Sequence, residues 1–103
     1  MVVKSDGSRE PFSRSKLRGG LVKACEKRPV PTPRIEAIVD QIEEKLHLRE
    51  DREMSTQEIG EEVIQLLREL DQVAYVRFAS VYRKFEDVDA FMKELKTLLK
   101  KHQ

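Results

Sequence analysis

Three charged side chains near the amino terminus have the types and spacing to bind an anionic ligand. Lys4 and Glu10 lie on either side of Asp6-Gly7, and Lys16 follows shortly after. Ammonium groups suit phosphate oxygens, and a carboxylate close by can accept a hydrogen bond from a sugar or a base. A helix beginning near Lys16 would add free N–H groups and a positive dipole end. This combination suits a nucleotide, although solvated surface charges are the commoner explanation for such residues taken alone.

The elements that must position these charges are a β-hairpin and the helix after it. Asp6-Gly7 predicts a type I′ turn, which needs positive φ at both central residues, between the apolar pairs Val2-Val3 and Pro11-Phe12. Ser13 is a candidate N-cap. Gly19-Gly20 interrupts the helix at a cost of about 1 kcal/mol each; the close approach of another backbone is favoured over a ligand as the reason. One apolar helix face is predicted to contain Leu17, Leu21, Val22 and Cys25.

A second helix and a short connection follow. Arg28–Pro31 ends the first helix, and Thr32-Pro33 starts the second as N-cap and N1. Its apolar stripe consists of Ile35, Ile38, Val39, Ile42 and Leu46. The charged stretch Leu48–Met54 is either a loop or a third strand, and a third strand would support a hairpin that is marginal alone.

The remaining chain predicts three more helices. Ser55-Thr56-Gln57-Glu58 is a capping box. Val73–Phe85 is apolar on nearly every side, which favours burial in a bundle or in an oligomer interface. Asp87 opens a last amphipathic helix that reaches Leu99. The whole indicates one α+β domain, with a helical bundle capped by a small sheet.

Composition excludes several classes of function. Twenty Lys and Arg against 19 Asp and Glu give a net charge of +1, without the basic excess typical of a chain that binds DNA by itself. Cys25 is the single cysteine, so we expect a buried thiol, no internal disulfide and no zinc site. No segment resembles a signal peptide or a membrane span, and a cytoplasmic location is expected. His47 and His102 are isolated in the sequence. No P-loop, dinucleotide-binding or zinc metalloprotease motif occurs, so we expect no enzyme activity.

Two separated motifs resemble a known family. VVKSDGSREPFSRSKL, residues 2–17, resembles the opening motif of the ATP-cone, a regulatory nucleotide-binding domain found in ribonucleotide reductases. The same domain forms the carboxyl-terminal part of the bacterial transcriptional repressor of the ribonucleotide reductase genes. CEKRPV at 25–30 and LDQVAYVRFASVYRKFEDVDAF at 70–91 resemble the repressor's version. The resemblance covers essentially the whole chain, residues 1–103.

The resemblance implies a helical bundle under a small three-stranded β-sheet lid, with ATP or dATP beneath the lid. By motif position, Lys4 and Lys16 would meet the phosphates, and Val2 and Glu10 would lie nearer the base and sugar. The remaining nucleotide-binding candidates are Thr56, Tyr82 and Ser5. Ser5 stands where the family usually has arginine, so one expected phosphate or base-stacking cation is missing.

The function implied is an ATP- or dATP-sensing domain that sets the oligomeric state, and thereby the DNA binding, of the repressor. The family's amino-terminal zinc ribbon, which contacts DNA, is absent from this chain, so a truncated piece is expected. The sequence leaves open which nucleotide is preferred, how many bind, and whether Mg²⁺ accompanies them. Two alternatives stay open: an allosteric cone module of ribonucleotide reductase, and a ligand-free helical protein-interaction domain.

Overall fold

The computed structural model describes residues 1–82 and Lys96, with Tyr82 described by its backbone only. Three strands and four helices follow one another in this part of the chain: β1 (Val2–Val3), β2 (Arg9–Glu10), α1 (Arg14–Ala24), α2 (Thr32–Leu48), β3 (Met54–Ser55), α3 (Thr56–Leu70) and α4 (Gln72–Tyr82). The α+β class and the three-stranded sheet are confirmed. The predicted helix from Asp87 to Leu99 lies outside the described residues, apart from Lys96.

The hairpin turn forms where predicted but in another conformation. The Gly7 N–H donates to the Lys4 carbonyl (2.9 Å), and the Lys4 N–H donates to the Ser8 carbonyl (2.8 Å). Gly7 has a φ of 87°, whereas Asp6 does not adopt positive φ, so the predicted type I′ turn is wrong. A three-residue loop ending in a left-handed glycine forms instead. The Asp6 carboxylate stabilises this loop by accepting from the Ser8 N–H and hydroxyl, at 2.9 and 2.6 Å.

The sheet has the order β2-β1-β3, so the first strand of the chain is the central one. β1 is antiparallel to β2 and parallel to β3, and Val2 lies opposite Glu10 on one side and Met54 on the other. Directly opposed residues project from the same face of a sheet. Val2 and Met54 are buried, so this face, with Glu10 on it, is turned toward the helices.

The helices pack α1 against α2 and α4, and α3 against α2 and α4. The predicted stripe of α2 is buried as expected, and the core also contains Leu21, Ala24, Cys25, Val63, Ile64, Leu67, Ala74, Tyr75 and Ala79. Burial raises the pKa of the Cys25 thiol, in keeping with the buried cysteine that the sequence predicts. No helix in the described ranges is both long and apolar enough to span a bilayer.

Three local predictions are wrong. Val22 is 50% exposed, because it lies about 100° around α1 from the buried Leu21. Thr32 is already helical, and Pro31 in extended conformation is the N-cap; Pro33 is tolerated since first-turn N–H groups need no helical partner. Among the described residues, a Cβ on Gly19 would meet nothing within 4 Å, and one on Gly20 would meet only the Phe78 ring, at 3.9 Å. No backbone in this part of the chain therefore lies against the glycine pair.

The fourth helix is less enclosed than its composition predicts. Ala74, Tyr75 and Ala79 are buried, whereas Val73 is 39% and Val81 80% exposed. Asp71 begins this helix by accepting a hydrogen bond from the Ala74 N–H at 2.9 Å. α4 therefore packs along one side, and part of its apolar surface faces outward among the described residues.

Candidate functional site

A cavity of about 150 Å³ lies between the sheet and the first turns of α1 and α3. Its walls come from β1, β2, the β2–α1 connection and both helices, and the lining residues are Val2, Glu10, Pro11, Phe12, Ser13, Lys16, Leu17, Thr56 and Ile59. Pockets that hold small molecules measure about 300–1,000 Å³. The cavity is therefore smaller than the pockets that enclose a ligand as large as a nucleotide.

The cavity collects four of the seven residues that the sequence singles out, namely Val2, Glu10, Lys16 and Thr56. Lys4 stands beside them, with its Nζ 3.4 Å from Glu10 Oε2. Lys4, Glu10 and Lys16 therefore lie close together, as the predicted hairpin requires.

The other two candidates are placed differently. Ser5 lies exposed in the hairpin loop and is not part of the cavity wall. Tyr82 ends α4, and its side chain lies outside the described residues. The structure therefore adds no contact for either residue.

Lys16 is the cation best placed to meet a ligand in this cavity. The hydroxyl of Ser13, the predicted N-cap, accepts a hydrogen bond from the Lys16 N–H at 3.3 Å and so begins α1 here. The Lys16 side chain is exposed, and within the described ranges its ammonium forms no ion pair. Lys16 can accordingly bind an anion without first giving up a partner.

A second helix start faces the same cavity. Ser55 and Glu58 form the predicted capping box, with the Glu58 N–H donating to the Ser55 hydroxyl at 3.0 Å. Thr56, the first residue of α3, lines the cavity. Two positive helix ends therefore point toward one small space, an arrangement that favours anions. Sequence reasoning identified only the first of them as part of an anion site.

Glu10 is the acidic residue of the cavity wall among the described residues, whereas Glu58 and Asp6 lie outside the wall and are held by other partners. The hydrogen bond from Arg49 lowers the pKa of Glu58, although burial partly opposes it. Hydrogen bonds from the Ser8 hydroxyl and N–H lower the pKa of Asp6. Both carboxylates therefore stay charged at neutral pH, yet each is already satisfied by the protein.

Sequence reasoning missed the apolar part of the wall. Phe12, Leu17 and Ile59 line the cavity beside the charged residues. Their positions carried a signal: Leu17 follows Lys16 directly, Ile59 is one helical turn after Thr56, and Phe12 belongs to the opening motif. Because Leu17 and Ile59 belong to the first turns of α1 and α3, a flat ring can pack against this wall while the helix ends hold an anion.

A larger cavity lies elsewhere, between α1 and α4. It measures about 620 Å³ and is lined by residues that include Gly20, Lys23, Arg77 and Phe78. None of the six candidate residues whose side chains the structure describes lines it. In the described part of the chain, no group of three His, Cys, Asp or Glu side chains is arranged to hold a metal ion.

Comparisons with known proteins agree with the motifs. The sequence profile of the ATP cone domain matches residues 1–88. Three relatives, each named "Transcriptional repressor NrdR", come from Pelotomaculum thermopropionicum, Alkaliphilus metalliredigens and Solibacter usitatus, and are 58%, 56% and 56% identical to this chain. The matches cover 100%, 97% and 97% of this chain, but 62%, 64% and 65% of the relatives. The chain thus spans less than two thirds of the length of these relatives.

Proposed function

Because the chain belongs to the ATP cone domain family, we propose that it is a non-enzymatic sensor domain that binds ATP or dATP beneath its sheet. The observation that carries this proposal is the cavity in which Glu10, Lys16 and Thr56 meet at two helix starts. The sheet with its hairpin loop, residues 1–10 and 54–55, is called the lid from here on. In this proposal the lid moves outward to admit the nucleotide.

The proposed roles follow the chemistry of each group. Lys16 and the start of α1 bind phosphate oxygens. Lys4 joins them when its ammonium leaves the ion pair with Glu10 and contacts the ligand instead. Glu10 then accepts a hydrogen bond from the sugar or the base, and Val2 lies near them. Thr56 contributes its hydroxyl. The apolar wall described above receives the base, because base–aromatic and base–aliphatic contacts remove apolar surface from water.

We further propose that the bound nucleotide controls a transcriptional repressor of ribonucleotide reductase genes by changing its oligomeric state. The relatives whose sequences match this chain are named as repressors. A bacterial transcriptional repressor acts on DNA in the cytoplasm. DNA contact would come from a zinc ribbon outside this chain, as the near-neutral net charge suggests. A nucleotide shifts an assembly only if it binds one state better. The exposed valines of α4 are the proposed surface for contact between copies.

Calorimetric titration with ATP and with dATP, each with and without Mg²⁺, tests the nucleotide site. We expect Lys4→Ala and Lys16→Ala each to weaken binding at least several-fold, because a charge-assisted contact to phosphate is lost. Lys23→Ala is the matched control: it removes the same charge from the same helix, but at the larger cavity. Wild-type affinity in both site variants would refute the site, and a loss confined to Lys23→Ala would place the nucleotide between α1 and α4.

Light scattering on the same titrations tests the proposed switch. We expect the mass of the wild-type assembly to differ between the apo, ATP and dATP forms. One unchanged mass would refute the switch for this domain while leaving nucleotide binding intact. A melting temperature that millimolar ATP and dATP both leave unchanged would instead favour a ligand-free interaction domain, since a ligand that binds the folded state must raise it.

A further inference from the structure

The first residue of α1 is held by three carboxylates of α2. Arg14 Nη2 lies 2.6 Å from Asp40 Oδ1 and 3.4 Å from Glu36 Oε2, and its Nη1 lies 2.9 Å from Glu43 Oε1. Residues 36, 40 and 43 are spaced about one helical turn apart and so share one side of α2. The Arg14 guanidinium therefore contacts carboxylates along almost two turns of α2.

This network is stronger than an ordinary surface ion pair. The Arg14 side chain is only 32% exposed, and its planar fork can satisfy several oxygens at once, which a lysine cannot do. An isolated exposed pair contributes little, whereas networks with good geometry contribute more. One turn further along α1, Arg18 Nε lies 2.5 Å from Glu36 Oε1 and extends the same seam between the two helices.

The network lies next to the cavity without being part of its wall. Arg14 is flanked by Ser13 and followed two residues later by Lys16, both of which line the cavity. Its own partners are all on α2, and one of them, Glu43, lines a separate cavity together with Met1 and Phe12. The first turn of α1 is therefore fixed to the helical layer, while the strand that precedes it by only four residues belongs to the lid.

We propose that Arg14 is a positioning residue: its contacts with α2 hold the first turn of α1 so that the Lys16 ammonium and the free N–H groups stay aimed at the phosphates when the lid moves. This inference rests on the proposed function, because it assumes that the cavity binds a nucleoside triphosphate. The proposed role concerns the triphosphate of that ligand and not its base or sugar. Losing the network should weaken phosphate binding and leave base and sugar binding intact.

The test compares ATP with adenosine in Arg14→Gln at 0.15 M salt. We expect the ATP dissociation constant to rise about tenfold by calorimetry, and adenosine binding, followed by ligand-observed NMR, to stay within twofold of wild type. A purely structural role would weaken both ligands equally. ATP affinity within twofold of wild type, or an equal loss for adenosine, overturns the proposal.

A charge swap separates positioning from direct attraction of phosphate by the Arg14 charge. In Arg14→Glu with Asp40→Arg the cation moves to α2, where Glu36 and Glu43 remain, and it faces the carboxylate introduced on α1, so the two helices stay joined. We expect the double variant to bind ATP several-fold better than Arg14→Glu alone. Failure of the swap to restore affinity overturns the positioning role, since it would mean that the charge acts on the ligand directly.

Three further variants complete the design. Arg14→Lys keeps the charge but loses the planar guanidinium, so its loss of ATP affinity should be smaller than that of Arg14→Gln. If Arg14→Gln does not fold, Arg14→Lys is measured in its place. Lys45→Gln removes an ion pair to Glu62 (2.5 Å) between α2 and α3, and should leave ATP binding unchanged. Lys16→Ala checks the premise that Lys16 meets the phosphates. If this variant binds ATP normally, that premise fails and the positioning role fails with it. A loss in Lys16→Ala with none in Arg14→Gln overturns only the positioning role.

Discussion

The lid and the helical layer beneath it are built on opposite physical principles. Each strand of the lid has two residues, and every residue of its hairpin loop, residues 4–8, is exposed. Hydrogen bonds and charged pairs such as Lys4–Glu10 hold it together. The helical layer instead buries a continuous apolar core in which Val39, Val63 and Leu67 have no exposed surface.

This difference separates stability from function. Apolar burial is the main stabilising contribution to a fold, so most of the free energy of unfolding resides in the helical layer. Segments with few buried apolar contacts open at low cost. The lid is such a segment, since only Val2 and Met54 of its residues are buried. In the proposed opening these two side chains would be exposed, while the core of the helical layer would stay closed.

The largest expected effect comes from breaking the core side of this comparison. Leu67→Ala should lower the free energy of unfolding by about 2–5 kcal/mol, because a fully buried side chain leaves a cavity. Urea denaturation measures this, and ATP affinity at a temperature where the variant is folded should stay within twofold of wild type. The control is Leu48→Ala, at a position 78% exposed, with an expected change below about 0.5 kcal/mol. A tenfold loss of ATP affinity in folded Leu67→Ala would show that core and site are coupled.

A smaller effect is expected from straining the lid alone. Gly7 has a φ of 87°, and a methyl group added to its Cα would meet nothing within 4 Å, so Gly7→Ala should cost about 1–2 kcal/mol through the backbone only. The Lys4 amide, bonded to Ser8 in the loop, should exchange its hydrogen about 5–30-fold faster, while the Val39 amide in α2 should change far less. Gly19→Ala, in a helix and equally unobstructed, should instead stabilise by up to about 1 kcal/mol. Equal acceleration at Lys4 and Val39 would mean that the lid does not open separately.

The smallest effect concerns a charge within the helical layer. Burial acts to raise the pKa of Asp71, but hydrogen bonds from the Ala74 N–H and from Arg28 outweigh it, so the pKa lies below its usual value. A lowered folded-state pKa stabilises above the unfolded-state pKa, about 3.9, and this contribution is lost as the pH falls through the folded value. Asp71→Asn should thus be less stable than wild type at pH 6 by up to about 1 kcal/mol, and this difference should shrink as the pH falls below about 3.9. Denaturation curves at several pH values measure this difference in the free energy of unfolding. A difference that does not change with pH would mean that the Asp71 charge is not its source.

Local signals in the sequence predicted most of the helical layer. The stripe of α2 repeats at helical spacing, and every member is buried. The capping box fixed the start of α3 because Ser55 and Glu58 satisfy each other's backbone groups within four residues. These features depend on neighbours in the chain, and a single sequence contains them.

Predictions failed where the outcome depends on distant or competing contacts. The turn at Asp6-Gly7 adopted another type because the Asp6 carboxylate bonds Ser8, which outweighs the preference of the dipeptide. Val22 is apolar but lies on the side of α1 that nothing described covers. For the site, the residue types and the hairpin indicated Lys4, Glu10 and Lys16. The contribution of α3 and the three carboxylates around Arg14 depend instead on how separate elements pack together, which no local pattern contains.

The parallel pairing of β1 with β3 has a consequence for how the chain folds. Val2 pairs with Met54, so β2, α1 and α2 all lie between the two partners in sequence. Helices form from local contacts in about a microsecond, whereas pairings that close long loops are slower because their entropic cost comes first. We expect α1 and α2 to form early and β3 to join the sheet late. The capacity to bind nucleotide would then be the last property that the chain acquires on folding and the first that it loses on unfolding.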